Sequence, residues 1–319
     1  MTVYTGNAFF CKRMNAFNSI YDSVMSAHAA GDYAAALRAA REGHEQLSAE
    51  RVRTWYWQAC LLSLLGDPEG AIAALQAGLD EGGWFNPDML DLDPDLQAAR
   101  GLHGLPPIRR ECEERRKRRR LESRPECLVL SPSSALWDQQ TLMVLHRRGD
   151  SARHFADRWG ALVDEGWTLV VPQSSQPWDS AGWCWDDVDR AHREVRAHLE
   201  DCRIRRGLDL SRLVIAGASQ GAPLAAEIAQ EAGLPWLCVI PSFPSGYDAA
   251  RLAGVPRHTR GAFITGENDP SNAHTRHIID ALQAAGASIA TRTMTGVGHE
   301  LPHDLARHAS DALKTIDLG

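Results

Sequence analysis

From Pro125 onward the chain repeats one pattern: a short, nearly continuous apolar run followed by a stretch of helical period. The runs fall at residues 127–131 (CLVLS), 141–146 (TLMVLH), 168–172 (TLVVP), 212–217 (RLVIAG), 236–240 (WLCVI), 261–265 (GAFIT) and 288–293 (SIATRT). Helices are predicted between them, near 151–164, 185–206, 220–232, 272–286 and 302–316. Strands that are apolar on both sides must be covered on both sides. Residues 125–319 are therefore constrained to a mostly parallel sheet between two helical layers. Ligands of such sheets bind beyond the carboxyl ends of the strands, so those ends are where chemistry is to be sought.

Residues 1–108 follow a different rule. Gly31-Asp32-Tyr33-Ala34-Ala35-Ala36-Leu37 and Gly66-Asp67-Pro68-Glu69-Gly70-Ala71-Ile72 align at a spacing of 35 residues, each between two alanine- and leucine-rich helical stretches. Gly and Asp suit a tight turn between helices, and small alanines let paired helices approach closely. The unit resembles the tetratricopeptide repeat, a helix-turn-helix of about 34 residues. The resemblance implies a small all-α domain able to receive a protein partner. Residues 109–124 (RRECEERRKRRRLESR) form a charge run, read as a solvated linker helix whose Glu111, Glu113 and Glu114 find partners at helical spacing. The formal net charge of −7 argues against the other reading of that run, a nucleic-acid surface.

Seven cysteines, at 11, 60, 112, 127, 184, 202 and 238, are scattered with no C-x-x-C pair, which suggests neither a disulfide framework nor a metal site. No apolar run is long enough to cross a bilayer, and residues 1–12 lack the pattern of a secretory signal, so a cytoplasmic location is the expectation.

The strongest chemical signal is Gly217-Ala218-Ser219-Gln220-Gly221, which follows the run Leu213-Val214-Ile215-Ala216 and opens a helix. G-x-S-x-G in a strand-turn-helix context is the nucleophile elbow of α/β-hydrolases. The turn is so sharp that the residues two before and two after the serine must be small. It leaves the hydroxyl at a helix N-terminus, where partial positive charge favours a developing alkoxide. A serine needs a base, and the base an orienting acid. In this fold the chain order is Ser, then Asp or Glu, then His. Asp269, in Gly266-Glu267-Asn268-Asp269-Pro270, and His299, in Gly296-Val297-Gly298-His299, each follow a strand in that order. Glu267 is the rival acid, expected to support rather than act. His303 and His308 are rival bases, read as solvated helix residues. An oxyanion also needs two backbone N–H groups. One is that of Gln220; the other should come from the loop after the second run, His146-Arg147-Arg148-Gly149-Asp150-Ser151.

On these motifs residues 125–319 resemble the carboxylesterase/phospholipase family of α/β-hydrolases, which includes the acyl-protein thioesterases. The elbow is similar to that family's G-F-S-Q-G, and His146 to Asp150 stands in the place of its H-G-x-G-D loop. The resemblance implies the Arg148 N–H as second oxyanion donor. Arg147 stands where the family has glycine, and it brings two arginines to the pocket mouth, either facing solvent or recognising an anionic group. Residues 172–185 (PQSSQPWDSAGWCW) are aromatic and long. Trp178, Trp183 and Trp185 either wall an acyl pocket or pack against the helical repeats. About twenty residues separate the runs 236–240 and 261–265, too few for a large helical lid. The expectation is a serine esterase or thioesterase using Ser219, His299 and Asp269 on a small acyl substrate, without metal or cofactor. A peptidase or amidase with the same residues, and a repeat protein acting within a complex, are the alternatives.

Overall fold

The computed structural model describes residues 2–5, 8–48, 50–132, 140–207, 209–247, 260–302 and 304–316. By its contacts the chain divides into two units. One comprises Met1–Asn7, Arg124–Ser175 and Cys184–Gly319; the other comprises Ala8–Ser123 and Gln176–Trp183.

The first unit is built on an eight-stranded sheet among the described residues. Its strands are β1 (Thr2–Thr5), β2 (Glu126–Ser131), β3 (Thr141–Leu145), β4 (Thr168–Gln173), β5 (Leu213–Ala218), β6 (Trp236–Val239), β7 (Arg260–Gly266) and β8 (Ser288–Met294). They lie in the order β1-β2-β4-β3-β5-β6-β7-β8. All neighbouring pairs run parallel except β2 and β4. The central strands are buried on both faces, and their side chains alternate between two cores. Leu213 and Ile215 enter one, with Trp236 and Phe263, beneath helices α9 (Val188–Arg206), α10 (Gly221–Glu231) and α11 (Asn272–Ala284). Val214, Ala216 and Ala218 enter the other, beneath α7 (Ala152–Trp159), α8 (Ala161–Asp164) and α12 (Leu305–Thr315). The seven apolar runs each become a strand. β1 is an addition that the polar segment Thr2–Thr5 gave no reason to expect.

The second unit contains α1 (Ala8–Ala29), α2 (Tyr33–Gln46), α3 (Arg51–Leu64), α4 (Pro68–Asp80), α5 (Pro87–Leu92) and α6 (Leu105–Glu122). The Gly-Asp pairs make the turns between α1 and α2 and between α3 and α4. Gly31 and Gly66 have φ of +75° and +81°, a conformation that favours glycine. Asp32 N–H donates to Ala27 O and Asp67 N–H to Leu62 O, closing each helix end. The same aspartates then cap the next helix, accepting from Ala35 N–H and Gly70 N–H at 2.9 Å each.

The division differs from the expected boundaries at 108 and 124. The charged run 109–124 lies largely in α6, whose Leu105, Ile108 and Cys112 are buried in the helical core. This places the helix inside the unit, while its arginines pair with Asp88, Asp91, Glu111 and Glu113. Residues 176–183 join it too: Ser180 bonds Trp84 through backbone and hydroxyl, Arg53 donates to Ala181 O, and the Arg119 guanidinium lies 6.0 Å over Trp183. Among the described residues, no helix is long and apolar enough to cross a membrane.

The twin caps give a direct test. Asp67→Ala removes a side-chain acceptor at the α4 N-terminus and is expected to lower stability by about 1 kcal/mol in urea denaturation. Asp32→Ala should act alike at α2, and no change in either variant would mean that the caps are dispensable.

Candidate active site

The sheet order reverses around β3: its next strand in sequence, β4, lies on one side, and β5 lies on the other. A crevice opens beyond the carboxyl ends at such a switch point. The β3–β5 register pairs Leu145 with Gly217, which brings the loop 146–151 beside the turn after β5. That turn is tight. A Cβ on Gly217 would meet Gly221 O at 2.2 Å, and one on Gly221 would meet Leu145 O at 2.5 Å and His146 O at 2.7 Å. Ser219 between them adopts φ +48°, a strained choice for a residue with a side chain. Its N–H donates to Val239 O at 3.0 Å, and its carbonyl accepts from Ala222 and Ser242 at 3.1 Å each. Bonds to β6, to the segment just beyond it and to α10 itself thus hold the serine at the N-terminus of α10.

Ser219 Oγ lies 2.9 Å from His299 Nε2, and His299 Nδ1 lies 2.8 Å from Asp269 Oδ2. The structure therefore brings together the three residues that the sequence suggested, in the order suggested. Paired strands set this up: Met294 and Gly266 are partners at the ends of β8 and β7. The loops beyond them are laced by Glu267 N–H to Met294 O and Asn268 N–H to Val297 O. Gly266 leaves room for the second loop, since a Cβ there would meet Gly298 O at 2.4 Å.

Asp269 is buried and its other oxygen is occupied as well. Oδ1 accepts from Ser271 N–H at 2.8 Å and Ser271 Oγ at 2.7 Å. Burial alone would raise this carboxyl. The Ser271 bonds and the contact with His299 outweigh it and hold the carboxyl below its ordinary value. Ser271 escaped sequence reasoning, although an Asp followed two residues later by Ser signals a side-chain-to-backbone turn. Glu267 supports the histidine loop by accepting from Gly296 N–H at 2.8 Å. His308 pairs with Asp304 at 3.0 Å within the α12 end. His303 lies outside the described residues, as does 248–259 of the connection expected to lack a lid.

The loop after β3 is anchored by His146, which is fully buried. Its Nδ1 lies 2.9 Å from Arg147 O, while Nε2 faces Gln173 Nε2 at 3.2 Å and Ser174 N–H at 3.4 Å. With donors facing Nε2, the proton belongs on Nδ1, which donates to the Arg147 carbonyl. Trp185 stacks on this ring at 4.6 Å and donates from Nε1 to His146 O at 2.8 Å. Trp185 is thus a buried support beneath the loop. Trp178 and Trp183 belong to the helical unit. Arg147 is mostly buried against Asp150, Nε to Oδ2 at 3.1 Å, and Arg148 donates to Asp186 at 2.6 Å. Both arginines are engaged by carboxylates.

Other reactive groups read as structural. Cys184 is buried and its thiol is pushed up to about 12, chiefly by burial. In the helical unit Cys60, Asp93 and Asp95 offer metal-ligand atoms within 4.8 Å of one another. Asp93, however, accepts from Tyr56 OH at 2.8 Å, and burial followed by the Asp93 charge holds the Cys60 thiol well above its usual range. Those groups satisfy one another as hydrogen-bond partners.

A mostly parallel sheet with one reversed pairing, layered by helices and carrying a G-x-S-x-G turn at the switch point, is the α/β-hydrolase fold; an all-helical region led by α1 to α4 accompanies it. Solved structures agree at the level of fold. An uncharacterized protein from Bacillus cereus ATCC 10987 superposes with a TM-score of 0.52 at 18% identity, covering 94% of this chain and 98% of its own. The crystal structure of esterase PE8 superposes with a TM-score of 0.50 at 18% identity, covering 59% of this chain and 97% of its own. No known family pattern matches the chain, and no curated protein does.

Two outcomes are expected from this geometry. Gly221→Ala forces a methyl against backbone carbonyls and should cost on the order of 2 kcal/mol, read as a fall in the thermal unfolding midpoint. Ser271→Ala removes one of the bonds that depress Asp269. A carboxylate with a depressed folded pKa contributes stability that is lost as pH falls through that pKa. The variant's acid-unfolding midpoint should therefore move to higher pH, and an unmoved midpoint would count against the coupling.

Proposed function

We propose that this chain is a serine hydrolase that cleaves an acyl ester or thioester through an acyl-enzyme. The observation that carries the reading is the chain of contacts from Ser219 Oγ through the His299 ring to Asp269, 2.9 Å and 2.8 Å long, at the start of α10. On this reading Ser219 Oγ attacks the acyl carbonyl while His299 Nε2 takes its proton. Ionised Asp269 holds the imidazole with Nδ1 protonated and stabilises the imidazolium that forms. The carbonyl oxygen becomes an oxyanion, received by the backbone N–H groups of Gln220 and Arg148 and favoured by the positive end of α10. His299 returns the proton to the departing alcohol or thiol. Water, deprotonated by the same nitrogen, then attacks the acyl-Ser219 ester and releases the acid.

The engagement of Arg147 and Arg148 by Asp150 and Asp186 favours an uncharged acyl group over an anionic one. The name of the fold neighbour esterase PE8 agrees with ester chemistry. The helical region, tetratricopeptide-like in its Gly-Asp turns, is proposed to receive a protein partner.

Ser219→Ala should abolish labelling by a fluorophosphonate and nearly all hydrolysis of short-chain 4-nitrophenyl esters, with the unfolding midpoint nearly unchanged. Asp269→Asn should lower kcat by about 10⁴-fold by setting the wrong imidazole tautomer. Ester hydrolysis that survives Ser219→Ala would overturn the assignment of the nucleophile.

A further inference from the structure

The two backbone N–H groups assigned to the oxyanion belong to residues whose side chains meet. Arg148, on the loop after β3, donates from its guanidinium to Asp186 Oδ1 at 2.6 Å. Gln220, the first residue of the turn into α10, donates from Nε2 to the same oxygen at 2.7 Å. The Gln220 amide is held at its other end too, since its Oε1 accepts from Trp185 N–H at 2.9 Å. Residues 185 and 186 therefore grip one side chain at both ends, which fixes the orientation of that amide.

We infer that Asp186 is a positioning residue that ties the two halves of the oxyanion site to each other; the inference rests on the hydrolase reading above. The halves come from separate connections, one following β3 and the other following β5. Backbone contact aligns their start, where Leu145 and Gly217 pair, but by Arg148 and Gln220 the chains have left the ladder. A carboxylate bridging the two side chains adds a direct tie beside the one through Trp185, which bonds both His146 O and the Gln220 amide. It joins a second constraint on the same loop. The His146 Nδ1–H pins the Arg147 carbonyl at 2.9 Å, and Asp150 N–H meets that carbonyl at 3.3 Å. In a trans peptide the N–H points opposite to the carbonyl. Pinning Arg147 O toward His146 thus turns the Arg148 N–H away from it. His146 sets the direction of that donor, and Asp186 sets its separation from the Gln220 donor.

The tie requires an acceptor oxygen open to two donors, and charge strengthens it. A carboxylate oxygen can accept from two donors at once, and its bond to the guanidinium is charge-assisted. Both partners of the ion pair are half-exposed, with side chains 50% and 44% accessible, so the pair adds little to global stability. Its effect should fall on the geometry of the site instead. Donors that bind an oxyanion act in the transition state and hardly touch the ground-state carbonyl, so loosening them lowers kcat and leaves KM nearly alone.

The test uses the full chain as wild type, Asp186→Ala and Asp186→Asn. Kinetics on 4-nitrophenyl butyrate are read beside amide hydrogen exchange over 146–149 and 219–222, and the thermal midpoint is followed. Asp186→Ala should lower kcat about ten- to a hundredfold with KM within about twofold of wild type. It should speed exchange in those two segments and leave the midpoint unmoved. Asp186→Asn keeps an acceptor oxygen and should recover most of kcat. Unchanged exchange with unchanged kcat overturns the clamp, and so does a midpoint drop with exchange raised throughout the unit, which marks a merely structural residue. A wild-type chain inert to esters and to fluorophosphonate overturns the hydrolase reading instead, and the exchange result still decides whether Asp186 ties the loops.

Discussion

Helix α10 starts in contact with the carbonyls of Leu145 and His146, and much of the site follows from that approach. Because Gly217 and Gly221 have no side chains, the chain can reverse from strand to helix against a neighbouring backbone. The reversal forces Ser219 to positive φ, and its peptide groups are then caught by Val239 and Ser242. The cost of an unfavourable φ at a residue with a side chain is on the order of 1–3 kcal/mol, which surrounding bonds must offset. Here they come from β6 and the segment just beyond it. The serine is held by its neighbours' register, so the precision of the site is inherited from the sheet.

The sheet was legible because its strands are buried on both faces. Such strands read as unbroken apolar runs, and seven runs gave seven strands with ends shifted by a residue or two. The Ser219, Asp269 and His299 constellation was legible because each follows a run and each sits among glycines whose purpose is close approach. Most of what escaped lacks any local signature. β1 is short and polar and owes its place to pairing with β2. Asp186 acts on functional groups through contacts that depend on which loops meet, whereas Ser271 bonds Asp269 two residues away and was legible in the Asp-x-Ser spacing. Trp185 could be read as a substrate wall or as packing against the helical repeats, because aromatic content marks both; its stacking on His146 and its Nε1 bond to His146 O make it a support.

The arginines teach a related lesson. Read in isolation, Arg147 and Arg148 suggest either solvent-facing charges or an anion-binding mouth. Each proves to have an aspartate within reach, Asp150 three residues along the chain and Asp186 far from it in sequence. The first partner could be read from spacing, because a tight turn at Gly149 brings residues 147 and 150 together. The second could not. A positive charge in a loop is therefore informative about ligands only after its neighbours across the fold are known.

The segment 176–183 has a consequence for how the chain comes into being. It leaves the sheet-bearing unit in mid-sequence and completes the helical one, through Trp84, Arg53 and Arg119. At the other end, Thr2 pairs with Leu128, so the first strand waits for a partner made after the helices. Neither unit is a continuous stretch of sequence. During synthesis the helices emerge early but lack their last piece until residue 183 has left the ribosome, by which time only half of the sheet exists. No single cut separates the units cleanly. Contacts this distant in sequence carry a high loop-closure cost and slow the search for the native state. Each unit should therefore acquire its final packing late, once its own last segment has been made.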